Sequence, residues 1–159
     1  CRQGFPTDRA PVGYYRSVIV MTPQQDRTAA ALLIVEDHAP TRAAVQSLLG
    51  AAFPACRLLT AGSAERALEL CAEDAPHVVV MDIVLPGIDG IEATRRIKSL
   101  LPDTGVVMLS SHDLAIYRDA ATGAGAGSFV TKSRTFWDLV PAVNSLLPAA
   151  FRVPGGGRF

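Results

Sequence analysis

A doubly wound α/β fold is what this sequence predicts: a five-stranded parallel sheet of order 2-1-3-4-5 with helices on both faces. Three observations lead there. Short apolar runs alternate with helical patterns between residues 30 and 148. The runs are apolar at consecutive positions, as strands covered on both sides must be. Four of them end in a carboxylate, a hydroxyl or an ammonium, at the strand ends where open α/β sheets carry their sites. Right-handed crossovers leave few topologies, and 2-1-3-4-5 is the common order for five strands.

The elements follow in order. Strand β1, Ala31 to Val35, is continuously apolar and runs into Glu36-Asp37. Helix α1, Thr41 to Ala52, places Val45, Leu48, Leu49 and Ala52 at i, i+3, i+4, i+7, with Pro40 where a first helical turn tolerates it. Arg57 to Ala61 is β2. Ser63 caps α2, whose apolar face is Ala64, Ala67, Leu68 and Cys71. Strand β3, His77 to Met81, ends at Asp82. After a turn rich in Pro and Gly comes α3, Ile91 to Leu101, with Ala93, Ile97 and Leu101 aligned. Strand β4, Val106 to Leu109, ends at Ser110. Leu114 to Ala124 is α4, loosened by Gly123. Strand β5, Ser128 to Thr131, ends at Lys132. Phe136, Leu139, Val140, Val143 and Leu147 line α5. Pro141 would break this last helix if it began at Thr135, so a start near Asp138, or a kink, is expected. Together this is a flavodoxin-like arrangement.

Residues 1–29 and 149–159 read as tails around a single domain at 30–148. The first mixes Pro, Gly, Arg and Tyr without period, and Met21 inside it offers a natural start. The last residues, Pro154-Gly155-Gly156-Gly157-Arg158-Phe159, read as tail or linker. With 15 basic and 15 acidic side chains the formal charge is zero, which removes the electrostatic case for unspecific nucleic-acid or anionic-membrane binding. No apolar run approaches the ~18–20 residues that span a bilayer. Cys1, Cys56 and Cys71 form neither a disulfide framework nor a zinc spacing, so reduced thiols and a cytoplasmic setting are expected. His38, His77 and His112 are dispersed and lack metal spacing. His38 either lines the cleft or faces solvent. Phe136-Trp137 reads as core or interface, and Gly123, Gly125 and Gly127 as close packing and turn chemistry.

The position of the polar residues is more informative than their number. Glu36, Asp37, Asp82, Ser110 and Lys132 follow β1, β3, β4 and β5, and the fold brings those ends to one cleft. A single Asp after a strand is an ordinary loop residue or helix cap. Five such residues on four strands are hard to read that way. Three carboxylates at close range share protons or recruit a cation. Oxygen-only ligands suit Mg²⁺, anchored by Glu36 and Asp37 with another oxygen from Asp82. A carboxylate can also be a nucleophile that forms an acyl phosphate. Lys132 would then offset charge on the phosphoryl group. The Ser110 hydroxyl would bond a phosphoryl oxygen only in the modified state, which makes a local charge a conformational signal.

Leu32-Leu33-Ile34-Val35-Glu36-Asp37-His38, Val79 to Gly90, Val107 to Asp113, and Ala124 to Lys132 occur in order at the right spacing. On these segments the sequence resembles the receiver domains of two-component response regulators. The local wording is similar to receivers that precede LuxR-type helix-turn-helix output domains. The resemblance covers roughly residues 30 to 148. It implies that Asp82 is the phosphoacceptor, Glu36 and Asp37 the acidic pair, Ser110 the switch hydroxyl and Lys132 the conserved lysine. It also implies that the Val84 backbone carbonyl serves Mg²⁺, and that Phe129 is the aromatic that rotates inward when the hydroxyl moves. A plain core role is the alternative for Phe129. The implied partner is a sensor histidine kinase or a phosphotransfer protein. Homodimerisation through an α4-β5-α5 or an α1/α5 face is also implied, and no enzymatic turnover of an external substrate.

Two departures stand out. The acidic pair is Glu-Asp where Asp-Asp is commoner, and Ser133 replaces the Pro that often follows the lysine. Two other readings compete with this one. An interaction module that signals without phosphate would keep the fold, but all five site residues are present here. An aspartate-nucleophile phosphohydrolase usually carries a second Asp two residues on, where this chain has Val84. The dozen or so residues after Leu147 are too few for a helix-turn-helix domain, so no direct nucleic-acid contact is expected from this chain. A stand-alone receiver and a separated output domain both remain open.

Overall fold

The computed structural model describes residues 29–154; the expected N-terminal tail lies almost wholly outside them. The elements are β1 (Ala31–Val35), α1 (Ala39–Ala52), β2 (Arg57–Ala61), α2 (Ala64–Asp74), β3 (Val78–Asp82), α3 (Gly90–Leu100), β4 (Gly105–Ser110), α4 (Ala115–Gly123), β5 (Ser128–Thr131) and α5 (Thr135–Leu146). Every strand pair is parallel and the sheet order is β2-β1-β3-β4-β5, as the sequence predicts.

Period-two alternation divides the core. Leu32 and Ile34 of β1, with Val78 and Val80 of β3, pack with Val45 and Leu49 of α1 and with Leu139, Val140 and Val143 of α5. Leu33, Val35, Val79 and Met81 face the other way, onto Ala64 and Ala67 of α2, Ala93 and Ile97 of α3, and Ala121 of α4. All residues of β1 and β3 are buried, which accounts for their unbroken apolar runs.

Several helix starts are set by single side chains. Pro40 lies in the first turn of α1, where its missing N–H costs nothing. The Ser63 hydroxyl accepts from the Arg66 N–H at 3.2 Å, and Asp89 Oδ1 accepts from the Glu92 N–H at 2.8 Å. Ser63→Ala should therefore cost about 1 kcal/mol. Urea unfolding measures it, and an unchanged midpoint would show that the cap contributes nothing.

The last helix departs from expectation. It begins at Thr135, with Pro141 inside it, and not near Asp138. A 3-10 turn at Lys132–Arg134 leads directly into it. Asp138 does not cap; it pairs with Arg134 one turn back at 2.5 Å, holding the first turn closed. Pro141 deprives the Trp137 carbonyl of its i+4 donor on an exposed stretch, where that loss costs least. No cis peptide bond occurs among the described residues, so Lys132–Ser133 is trans.

Residues 149–153, expected as part of a C-terminal tail, dock on the domain, while 155–159 of the expected tail or linker lie outside the described residues. Asn144 and Val153 exchange two hydrogen bonds, at 3.2 and 2.9 Å. Phe151 packs on the first core cluster and meets the His77 ring edge-on at 5.5 Å. His77 itself accepts the Ala31 N–H at Nδ1, 3.1 Å away. Phe136 and Trp137 are both exposed and stack edge-to-face at 5.0 Å, which sets them outside the core. Gly125 sits at φ +94°, a turn conformation that favours glycine. Of the thiols, Cys71 is buried and its pKa is pushed up to about 11 by that burial, while Cys56 is half-buried and also raised; both are free.

Candidate functional site

Strand register assembles the site. Val35 pairs with Met81, so Glu36 and Asp82 follow on adjacent strands at the same height. Asp82 pairs with Leu109, which sets Ser110 one step beyond it on β4. Ser110 pairs with Thr131, and Lys132 comes next. Glu36, Asp82 and Ser110 are all buried, at 1–2% exposure, whereas Asp37 is exposed.

Carboxylate oxygens of Glu36, Asp37 and Asp82 lie within 4.8 Å of one another. The Lys132 ammonium bridges two of them, at 2.7 Å from Glu36 Oε2 and 2.8 Å from Asp82 Oδ2. Burial works to lower the Lys132 pKa, but the bonds to Asp82 and Glu36 outweigh it and hold the ammonium above its ordinary value. Its stabilising contribution is therefore complete below the ordinary lysine pKa of ~10.4 and is lost only as pH rises through the higher folded value. The remaining oxygens are tied to the backbone. Asp82 Oδ1 accepts the Val84 N–H at 3.2 Å, and Glu36 Oε1 accepts the His38 N–H at 3.1 Å. His38 faces solvent, with Nδ1 2.8 Å from the Thr41 hydroxyl.

Ser110 is turned toward its own loop. Its Oγ donates to the His112 carbonyl at 2.7 Å and accepts the His112 N–H at 3.1 Å. Phe129, next to Ser128 on β5, is partly buried and packs on the second core cluster. Val84 is 63% exposed beside the site.

Three supporting residues escaped the sequence reading. Arg42, on α1, donates Nη1 to the carbonyls of Glu36 at 2.6 Å and Asp37 at 3.2 Å, clamping the loop that carries the acidic pair. Its place in the first turn of α1, just after the acidic pair, is the available signal. Arg118, on α4, lies over the Phe129 ring with its guanidinium carbon 4.6 Å from the centroid. Gly90 packs under Asp82: a Cβ there would sit 1.9 Å from the Asp82 carbonyl oxygen. Its place at the end of the Pro-Gly-rich turn hinted at such a contact.

Oxygen donors without nitrogen or sulfur, three carboxylates against one ammonium, and two carboxylates buried make a donor set that fits a hard divalent cation such as Mg²⁺. The cluster lies at the switch point of a doubly wound sheet, between β1 and β3. Residues 32–144 match the response regulator receiver domain, and the chain belongs to that family. It is 37% identical over 129 residues to the transcriptional activator protein ExaE of Pseudomonas putida, covering 80% of this chain and 56% of the relative. It is 33% identical over 118 residues to the Fimbriae Z protein of Salmonella typhimurium, covering 74% and 56%. Among solved structures, a LuxR-family two-component response regulator from Aurantimonas sp. SI85-9A1 superposes with a TM-score of 0.70 at 34% identity, covering 78% of this chain and 87% of that one. The chain thus spans about half the length of the curated relatives it matches. No helix among the described residues is long and apolar enough to cross a membrane.

Proposed function

We propose that this receiver is a phosphorylation-dependent switch of a two-component system, with Asp82 as its phosphoacceptor. The observation that carries the reading is the convergence of Glu36, Asp37 and Asp82 at one strand end, with Lys132 bridging Glu36 and Asp82. The donor is a phosphohistidine of a histidine kinase or phosphotransfer protein. An Asp82 carboxylate oxygen forms the new O–P bond as the N–P bond breaks. The electron pair of that bond returns to the ring nitrogen, and the ring, carrying a proton on its other nitrogen, leaves as neutral imidazole. No external substrate is turned over; water later hydrolyses the acyl phosphate.

Glu36, Asp37 and Asp82, with the Val84 carbonyl, are the groups that would hold Mg²⁺. The cation, when bound, offsets the charge of carboxylates and phosphoryl oxygens at close range. Lys132 keeps its ammonium aimed at the acceptor. Ser110 is the hydroxyl that leaves His112 for a phosphoryl oxygen, and Phe129 follows it inward. A groove of about 510 Å³ runs between α1 and the start of α5, lined by Pro40, Ala44, Leu48 and Phe136 and reaching Lys132. It offers the donor protein an apolar seat beside the acceptor. Exposed Leu114 and Ile116 at the start of α4 support homodimerisation through the α4-β5-α5 face, with the α1/α5 face as the other arrangement.

The test is labelling of the purified protein by acetyl phosphate. Mg²⁺-dependent gain of one phosphoryl group, blocked by a chelator, is expected; absence of labelling contradicts the reading. Lys132 gives a second check. Without Mg²⁺, Lys132→Met leaves two buried carboxylates without their counter-charge and should cost about 3 kcal/mol. Millimolar Mg²⁺ should recover much of that loss, since a cation then compensates the same oxygens. Equal losses in urea unfolding with and without Mg²⁺ would argue against a cation at this site.

A further inference from the structure

The geometry points to Arg118 as a positioning residue that holds the switch aromatic in its resting place. Resting on the phosphoacceptor reading, this names a regulatory element of the same site. Arg118 makes two kinds of contact at once. Its guanidinium lies 4.6 Å from the Phe129 ring centroid. Its Nε and Nη2 reach Asp113 Oδ1, at 2.6 and 2.5 Å. Asp113 directly follows His112, whose backbone carbonyl and N–H both engage the Ser110 hydroxyl.

A continuous set of contacts therefore runs from Ser110, through the loop at 112–113, to Arg118 and onto Phe129. In the resting arrangement every member is satisfied: the hydroxyl by His112, the guanidinium by Asp113, the ring face by the guanidinium. If Ser110 turns to a phosphoryl oxygen, it gives up the bonds that fix His112. If Phe129 then swings inward, it leaves the guanidinium behind. The cation–ring attraction exists only in the resting state, so it weights the equilibrium against the switched one. Any ligand that selects the switched state must work against it.

The probe is beryllofluoride with Mg²⁺, a stand-in for the phosphoryl group, titrated calorimetrically. Arg118→Ala should bind it about threefold more tightly than wild type, the size expected for an exposed cation–ring contact. In a Phe129→Leu background the same substitution should change nothing, because the ring it acts on is gone. Arg118→Lys keeps a cation over the ring and should stay closer to wild type than to Arg118→Ala. Equal affinity of wild type and Arg118→Ala, or an undiminished effect in the Phe129→Leu background, overturns the latch. A Lys variant as tight as the Ala variant overturns it too. Failure of wild type to bind beryllofluoride at all would overturn the phosphoacceptor reading itself.

Discussion

Asp82→Asn should reduce labelling by a small phosphodonor to background, a loss of about 100-fold or more, as expected when a nucleophile is removed outright. The amide keeps the shape of the carboxylate and an oxygen for the Val84 N–H, which Asp82 Oδ1 accepts at 3.2 Å. What it lacks is the negative oxygen that, on the proposed reading, forms the bond to phosphorus. The fold should survive, because the substitution removes one of three carboxylates crowded within 4.8 Å and leaves Lys132 its bond to Glu36. The loss of labelling would then be chemical and not a consequence of unfolding. Circular dichroism alongside the labelling separates the two. Undiminished labelling of a folded Asp82→Asn protein would place the acceptor elsewhere.

Gly90→Ala should destabilise the protein by about 3 kcal/mol, at the upper end of ordinary overpacking. The added methyl would sit 1.9 Å from the Asp82 carbonyl oxygen and 2.8 Å from its carbonyl carbon. Both are backbone atoms of a central strand, so neither can rotate aside. The Gly90 N–H also donates to the Ile83 carbonyl at 2.9 Å, which ties the start of α3 to the loop after β3. Relief requires moving either α3 or the Asp82 backbone, so labelling should slow along with the fall in stability. Urea unfolding and labelling rate measure the two effects. A Gly90→Ala protein as stable as wild type would show that the close approach is not a constraint.

The fold was legible because its signals are local and redundant. Leu32-Leu33-Ile34-Val35 and Val78-Val79-Val80-Met81 are apolar on both faces because helices cover both. Ser63 and Pro40 mark helix starts by their own chemistry. Once the order of the strands is known, adjacency of Glu36 and Asp82 follows from register. What escaped reading depends on three-dimensional reach. Arg42 and Arg118 are long side chains whose contacts no periodicity encodes. The start of α5 at Thr135 is not legible from Pro141 alone, because the Trp137 turn faces outward and Arg134 and Asp138 close it. The docking of Phe151 and Val153 turns on the shape of the surface between α5 and the strand starts, which composition does not record. The differing burial of Glu36 and Asp37 likewise depends on where β1 ends in space.

The most direct measurement of the central claim is to locate the acyl phosphate. Wild-type protein is incubated with Mg²⁺ and acetyl phosphate, reduced with borohydride so that an aspartyl phosphate becomes homoserine, digested and sequenced by mass spectrometry. The account predicts homoserine at position 82, and none when Mg²⁺ is chelated. Homoserine at another aspartate, or at none, would contradict it.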